Sequence, residues 1–177
     1  MASSDRRLLG GAGIAAWTLW IDRLADLGGG AVQIREKDLD DAALFELVSA
    51  LVAHCSRGLG SHEQSATPAS RLSISVNGRA DLAAAAGAGG VHLPADGLPT
   101  AAVRAAYPGL LIGRSTHTIE EIDAETDADY VTFGPFAATP SKAGLGAPVG
   151  VEGLRAAARC ARPVLALGGI DAQHAFE

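Results

Sequence analysis

Residues 31–41 read AVQIREKDLDD, and the reading of this stretch decides the fold. It begins as a buried strand, with Val32 and Ile34, yet places Gln33, Arg35 and Lys37 at every second position. Strand side chains alternate between faces, so these three share one side while Val32, Ile34 and Glu36 share the other. Two cations and an amide on one face either hold an anion or meet solvent. The stretch closes on Asp38 and Asp40, both helix-starting residues, ahead of an apolar-periodic segment. It therefore reads as a strand running into a helix.

The same unit recurs outward along the chain. Short apolar runs at 31–36, 72–76, 90–93, 110–113, 130–134 and 163–168 predict strands. Helix-like segments lie between or before them, at 14–27, 39–56, 79–87, 99–106, 118–127 and 151–161, with Thr118 as a start signal for the fifth. Regular alternation predicts βαβ units and a parallel sheet. The number of repeats, and the lack of a GxGxxG after the first strand, favour a TIM (β/α)8-type barrel over a Rossmann sheet. Residues 58–70, GLGSHEQSATPAS, read as an inserted surface loop. In an all-parallel sheet both faces are covered. The polar face of 31–37 is then expected to point into the barrel mouth, where such barrels carry their active sites.

Composition agrees with a globular, not a disordered, protein. The chain of 177 residues is 48% hydrophobic and 19% charged, enough apolar content for a core. A net charge of −6 argues against a general nucleic-acid or anionic-membrane binder. Cys55 and Cys160 fit no metal or redox spacing and read as buried or half-buried thiols. No apolar run reaches the roughly 18 residues of a membrane span, and MASSDRRLLG has no signal-peptide pattern, so a cytoplasmic location is expected.

The predicted strand ends carry the chemistry. Asn77-Gly78-Arg79 follows the second strand, Pro94-Ala95-Asp96 the third and Arg114-Ser115-Thr116-His117 the fourth. The fifth runs into Pro135-Phe136, then Thr139-Pro140-Ser141-Lys142 and a glycine-rich loop; the sixth ends in Gly168-Gly169-Ile170. Hydroxyls, backbone N–H groups and a lysine clustered at strand ends are how a phosphate site is built.

In this order, VQIREK, GVHL, IGRSTHT, DYVTFGPFAATPSK and ALGGI resemble the thiamine phosphate synthase family and its close relative, the TenI-like thiazole tautomerase. The resemblance covers residues 14–177 and implies a (β/α)8 barrel. It implies that Gln33, Arg35 and Lys37 hold a pyrimidine substrate and its diphosphate, with Asn77 and Ser115 joining them. Thr139, Ser141 and Lys142 match the family's T-x-T-K loop, with serine replacing the second threonine. Gly168 and Gly169 would give backbone donors to the thiazole phosphate. His117 matches the histidine that does acid–base work in the tautomerase; its bland reading is a histidine bonding its own helix start. Ser115 and Lys142 join it as catalytic candidates. His92 reads as a structural hydrogen-bonding residue, and His54, His62 and His174 as surface or helix residues.

Two positions depart from the pattern. Synthases of this family bind Mg²⁺ with two aspartates; Gly78 and Gly97 stand at those places here, and Asp96 is the carboxylate that remains nearby. The ends depart too: the pattern leads us to expect an incomplete single barrel over 1–177, its first strand frayed or missing and its last βα unit absent. The missing aspartates tip the reading toward the metal-free tautomerase chemistry of His117. The alternatives are the synthase itself, coupling hydroxymethylpyrimidine diphosphate to thiazole phosphate with Mg²⁺, and a non-catalytic phosphate-binding paralogue. The expected partners are phosphorylated thiazole and pyrimidine molecules, with no nucleic acid and no membrane; a homo-oligomer is left open.

Overall fold

The computed structural model describes residues 2–3, 13–28, 30–58, 72–138, 147–171 and 174. Strands and helices alternate through them: β1 (Ala2–Ser3), α1 (Ile14–Asp26), β2 (Ala31–Ile34), α2 (Asp41–Gly58), β3 (Ser73–Asn77), α3 (Ala80–Ala85), β4 (Gly90–Leu93), α4 (Thr100–Ala106), β5 (Leu111–Thr116), α5 (Ile119–Ala124), β6 (Tyr130–Phe133), α6 (Gly150–Ala157) and β7 (Val164–Ala166). The elements fall into two compact units. One runs to His92 and includes Tyr107–Leu111; the other comprises Leu93–Ala106 and the chain from Ile112 onward.

In the first unit β1, β2, β3 and β4 pair in chain order, all parallel. Register sets Ile34 beside Val76 and Val76 beside Val91, and all three are buried. α2 supplies Leu44, Leu47, Val48 and Leu51, one face of a 3.6-residue period, and touches β3 and α3. α1 packs on α2 and buries Trp17 and Ile21, with Trp17 edge-on to Trp20 at 5.9 Å. Fully burying one such aliphatic side chain contributes about 1.5–3 kcal/mol.

In the second unit β5, β6 and β7 are again parallel and consecutive. Val131 and Phe133 on one face of β6 join Ile122 of α5 and Ala157 of α6 in the core, with Cys160 packed at its edge. Thr118 caps α5, its Oγ1 accepting from the Glu121 N–H at 3.2 Å, as the sequence signal predicts. Both thiols are half-buried and free. No helix among the described residues is long and apolar enough to cross a membrane.

Three expectations need correction: a two-residue β1 pairs with β2, β5 extends through Arg114, Ser115 and Thr116 instead of ending at residue 113, and the strand predicted over 31–36 is shorter. β2 ends at Ile34 rather than continuing to residue 36, so Arg35 and Lys37 stand on the loop beyond it. Both are exposed, whereas Glu36 is 7% exposed. The cause is the next helix. Asp40 accepts from the Ala43 N–H at 2.8 Å through its side chain, and its carbonyl accepts from Leu44. The chain must turn through Lys37-Asp38 to reach that cap, which ends the two-residue alternation.

Candidate active site

In the first unit, a polar face runs across β2, β3 and β4. Gln33 is in register with Ser75, and Asn77 with His92. Gln33, Ser75 and His92 are 5%, 6% and 2% exposed, so this face is buried, not solvated. Ser75 donates to the Val32 carbonyl at 3.3 Å. The Gly78 N–H donates to the His92 carbonyl at 2.8 Å, which ties the ends of β3 and β4 together. Gly78 turns at φ +70°, a conformation that favours glycine, and delivers the chain to Arg79.

Arg79 is the cation of the strand-end set read after β3. Its guanidinium forks onto two carboxylates, with Nη2 3.0 Å from Asp41 Oδ2 and 2.8 Å from Asp81 Oδ2; Nη1 also bonds Asp41. Hydrogen bonds from Arg79 hold both carboxyls below the usual range, and the two aspartates raise the arginine further. Its charge is spent inside the protein.

The second unit brings together the ends of β5, β6 and β7. Ser115 is in register with Thr132, and their hydroxyl oxygens lie 3.5 Å apart. Thr116, on the opposite face, donates to the Thr132 carbonyl at 3.1 Å. His117 Nδ1 lies 2.6 Å from the Gly134 carbonyl oxygen. A carbonyl only accepts, so Nδ1 carries the proton and Nε2 is the acceptor of the neutral ring. The His117 N–H donates to Glu121 Oε2 at 2.6 Å, so the bland helix-start role is also filled, by its backbone.

Gly134 and the glycines after β7 are fixed by close approach. A Cβ on Gly134 would sit 2.0 Å from the Leu167 carbonyl oxygen, and one on Gly169 2.7 Å from that of Ala137. Phe136 and Ala137 donate their N–H groups to the Leu167 and Gly168 carbonyls, both at 2.9 Å. His174 is edge-on to Phe136 at 5.4 Å, and its Nδ1 lies 2.9 Å from Asp171 Oδ1.

Each unit thus carries part of the expected set: Gln33, Arg35, Lys37 and Asn77 in the first, Ser115, His117, Gly168 and Gly169 in the second. Thr139, Ser141, Lys142 and His62 lie outside the described residues. The sequence reading gave no individual role to Thr132 or Glu121, and it placed Arg79 among the strand-end groups of a phosphate site, where its guanidinium instead meets Asp41 and Asp81. A cavity of about 660 Å³ in the first unit, walled by Asp22, His54, Cys55 and Ser73 among others, lies at the amino ends of β3 and β4. It is therefore remote from the polar strand ends. There His54 pairs with Asp22 at 2.7 Å, and burial pushes the Cys55 thiol up, away from reactivity.

The two positions where the family's aspartates are expected offer Mg²⁺ no carboxylate. Gly78 has no side chain, and a Cβ on Gly97 would meet Pro94 Cδ at 2.9 Å and its carbonyl oxygen at 3.0 Å. Asp96 is exposed on the same turn, and the described residues hold no group of three or more His, Cys, Asp or Glu able to take a metal.

A sequence model described as thiamine monophosphate synthase matches residues 15–177. The chain belongs to this family. A thiamine-phosphate synthase of Anaeromyxobacter dehalogenans is 41% identical over 155 residues, 82% of this chain and 63% of that protein. One from Chlorobium luteolum is 40% identical over 155 residues, 84% of this chain and 68% of that one. The chain thus spans about two thirds of the length of these curated family members. Among solved structures, a thiamine phosphate pyrophosphorylase from Pyrococcus furiosus superposes with a TM-score of 0.74 at 29% identity, covering 98% of this chain and 76% of that one. These family members carry the synthase name, so they do not support the tautomerase preference drawn from the missing aspartates.

Proposed function

We propose that the protein is a thiamine-phosphate synthase, joining hydroxymethylpyrimidine diphosphate to thiazole phosphate. The observation that carries this is the 41% identity to a synthase over 82% of the chain. The strand–helix repeat is read as part of a (β/α)8-type barrel, whose mouth lies at the carboxyl ends of the strands. In the reaction the thiazole nitrogen attacks the exocyclic methylene carbon of the pyrimidine. The carbon–oxygen bond to diphosphate breaks, and its electron pair leaves with the diphosphate.

No proton moves in that exchange, so the protein's work is to orient the partners and receive the departing charge. Arg35 and Lys37, exposed beyond β2, would supply cationic donors, and Gln33 and Asn77 amide contacts. Ser115 would donate a hydroxyl, the Gly168–Gly169 backbone would donate to the thiazole phosphate, and Thr139, Ser141 and Lys142 would serve as the family's phosphate loop. Mg²⁺ would supply charge neutralisation for the diphosphate, but the residues at the expected positions do not fit it.

A second reading is favoured by one observation, the tethered Nδ1 of His117. An imidazole so fixed presents Nε2 as a base suited to moving a thiazole ring proton. Incubating the full-length protein with both substrates and Mg²⁺, and reading thiamine phosphate by its oxidised fluorescence, separates the two. Product that needs both substrates supports the synthase; conversion of the thiazole alone, without coupling, overturns it.

A further inference from the structure

Arg114 lies on β5 next to Ser115 but on the opposite face, in register with Val131 of the buried core. Its side chain is 13% exposed. Nη1 donates to the Leu98 carbonyl at 2.8 Å and Nη2 to the Ala95 carbonyl at 2.9 Å. Its Nε lies 3.3 Å from Glu125 Oε1, and Glu125 Oε2 accepts from the buried Thr100 hydroxyl at 2.5 Å. One guanidinium therefore holds both ends of the turn that follows β4 and is itself held by a carboxylate just past α5.

The turn closes on itself as well. The Gly97 N–H donates to the Pro94 carbonyl at 2.9 Å, and Ala95 and Asp96 are exposed while Arg114 holds the carbonyls of Ala95 and Leu98. Loops at the carboxyl ends of parallel strands are where barrel enzymes meet substrate. A flat fork with donors at fixed angles can bind two carbonyls at once; an ammonium cannot match that geometry.

We propose that Arg114 is a positioning residue that sets the shape of the Ala95–Leu98 turn for substrate, with Glu125 and Thr100 fixing its guanidinium. The proposal rests on the synthase reading for its kinetic consequence, not for its structural one. Arg114 touches no reacting atom. It acts through the loop.

The test uses Arg114→Gln and Arg114→Lys in the full-length protein, with Lys as the milder change should Gln impair folding. Amide exchange at Ala95–Leu98 is expected to speed up about tenfold or more, while residues 112–116 keep their protection. The KM of at least one substrate is expected to rise about tenfold, with kcat per folded site within about twofold and Lys intermediate. Unchanged loop exchange, or a lowered kcat with both KM values unchanged, overturns the proposal. If the unaltered protein makes no thiamine phosphate, the synthase reading fails, and loop exchange alone decides the role of Arg114.

Discussion

The imidazole Nδ1 of His117 and the carbonyl oxygen of Gly134 are 2.6 Å apart. This bond joins the end of β5 to the end of β6 and fixes which ring nitrogen is a base. In a coupling that moves no proton, such a base is not needed. His117→Ala is therefore expected to lower the kcat/KM of coupling less than about tenfold, whereas a general acid–base role is worth roughly 10²–10⁴-fold. Steady-state assays of coupling and of thiazole tautomerisation decide; a hundredfold loss of coupling would place His117 in the chemistry.

Gly134→Ala tests the closeness of β6 and β7. The added methyl would lie 2.0 Å from a backbone oxygen that cannot swing aside. A loss of about 3 kcal/mol or more in urea unfolding is expected, the upper range for overpacking. A loss under about 1 kcal/mol would mean that the two strand ends separate easily.

The Arg79 fork predicts a pH dependence. Its hydrogen bonds depress the carboxyls of Asp41 and Asp81 in the folded state. A depressed carboxyl adds stability that is present above its unfolded pKa, about 4, and is lost as pH falls through the folded value. Arg79→Gln should be less stable than the unaltered protein at pH 7, with the gap closing below about pH 4. The groups are largely exposed, so the gap is expected to be modest and to shrink in high salt. Urea midpoints across that range that show a constant gap would count against the linkage.

Gly97→Asp asks whether a carboxylate can return to the turn after β4. The Cβ contacts with Pro94 make it a strained substitution, expected to cost about 1–3 kcal/mol. It should add no Mn²⁺ binding that calorimetry can detect. A new micromolar site would show that the turn opens to admit a ligand.

Lys37→Ala should weaken binding of inorganic diphosphate by the ~1.5–3 kcal/mol of a hydrogen bond to a charged group. Calorimetry reads it directly. An unchanged affinity would assign the anion to other residues.

The sequence alone determined the repeat. Apolar runs bounded by glycine and polar residues located β4 at 90–93, and Thr118 announced α5, because strand alternation and helix caps are local devices written within a few residues. The motifs VQIREK and FGPFAATPSK were likewise legible as continuous stretches. What tertiary structure decided are pairings between distant residues. Arg79 meets Asp41 38 positions away, Arg114 reaches back 16 and 19 positions to Leu98 and Ala95, and His117 finds its carbonyl 17 positions ahead. No local pattern encodes such partners, since each depends on how neighbouring strands and helices bring their ends together. The burial of Glu36 shows the same limit: period-two counting held only as far as Ile34, where the cap of the next helix took control of the backbone.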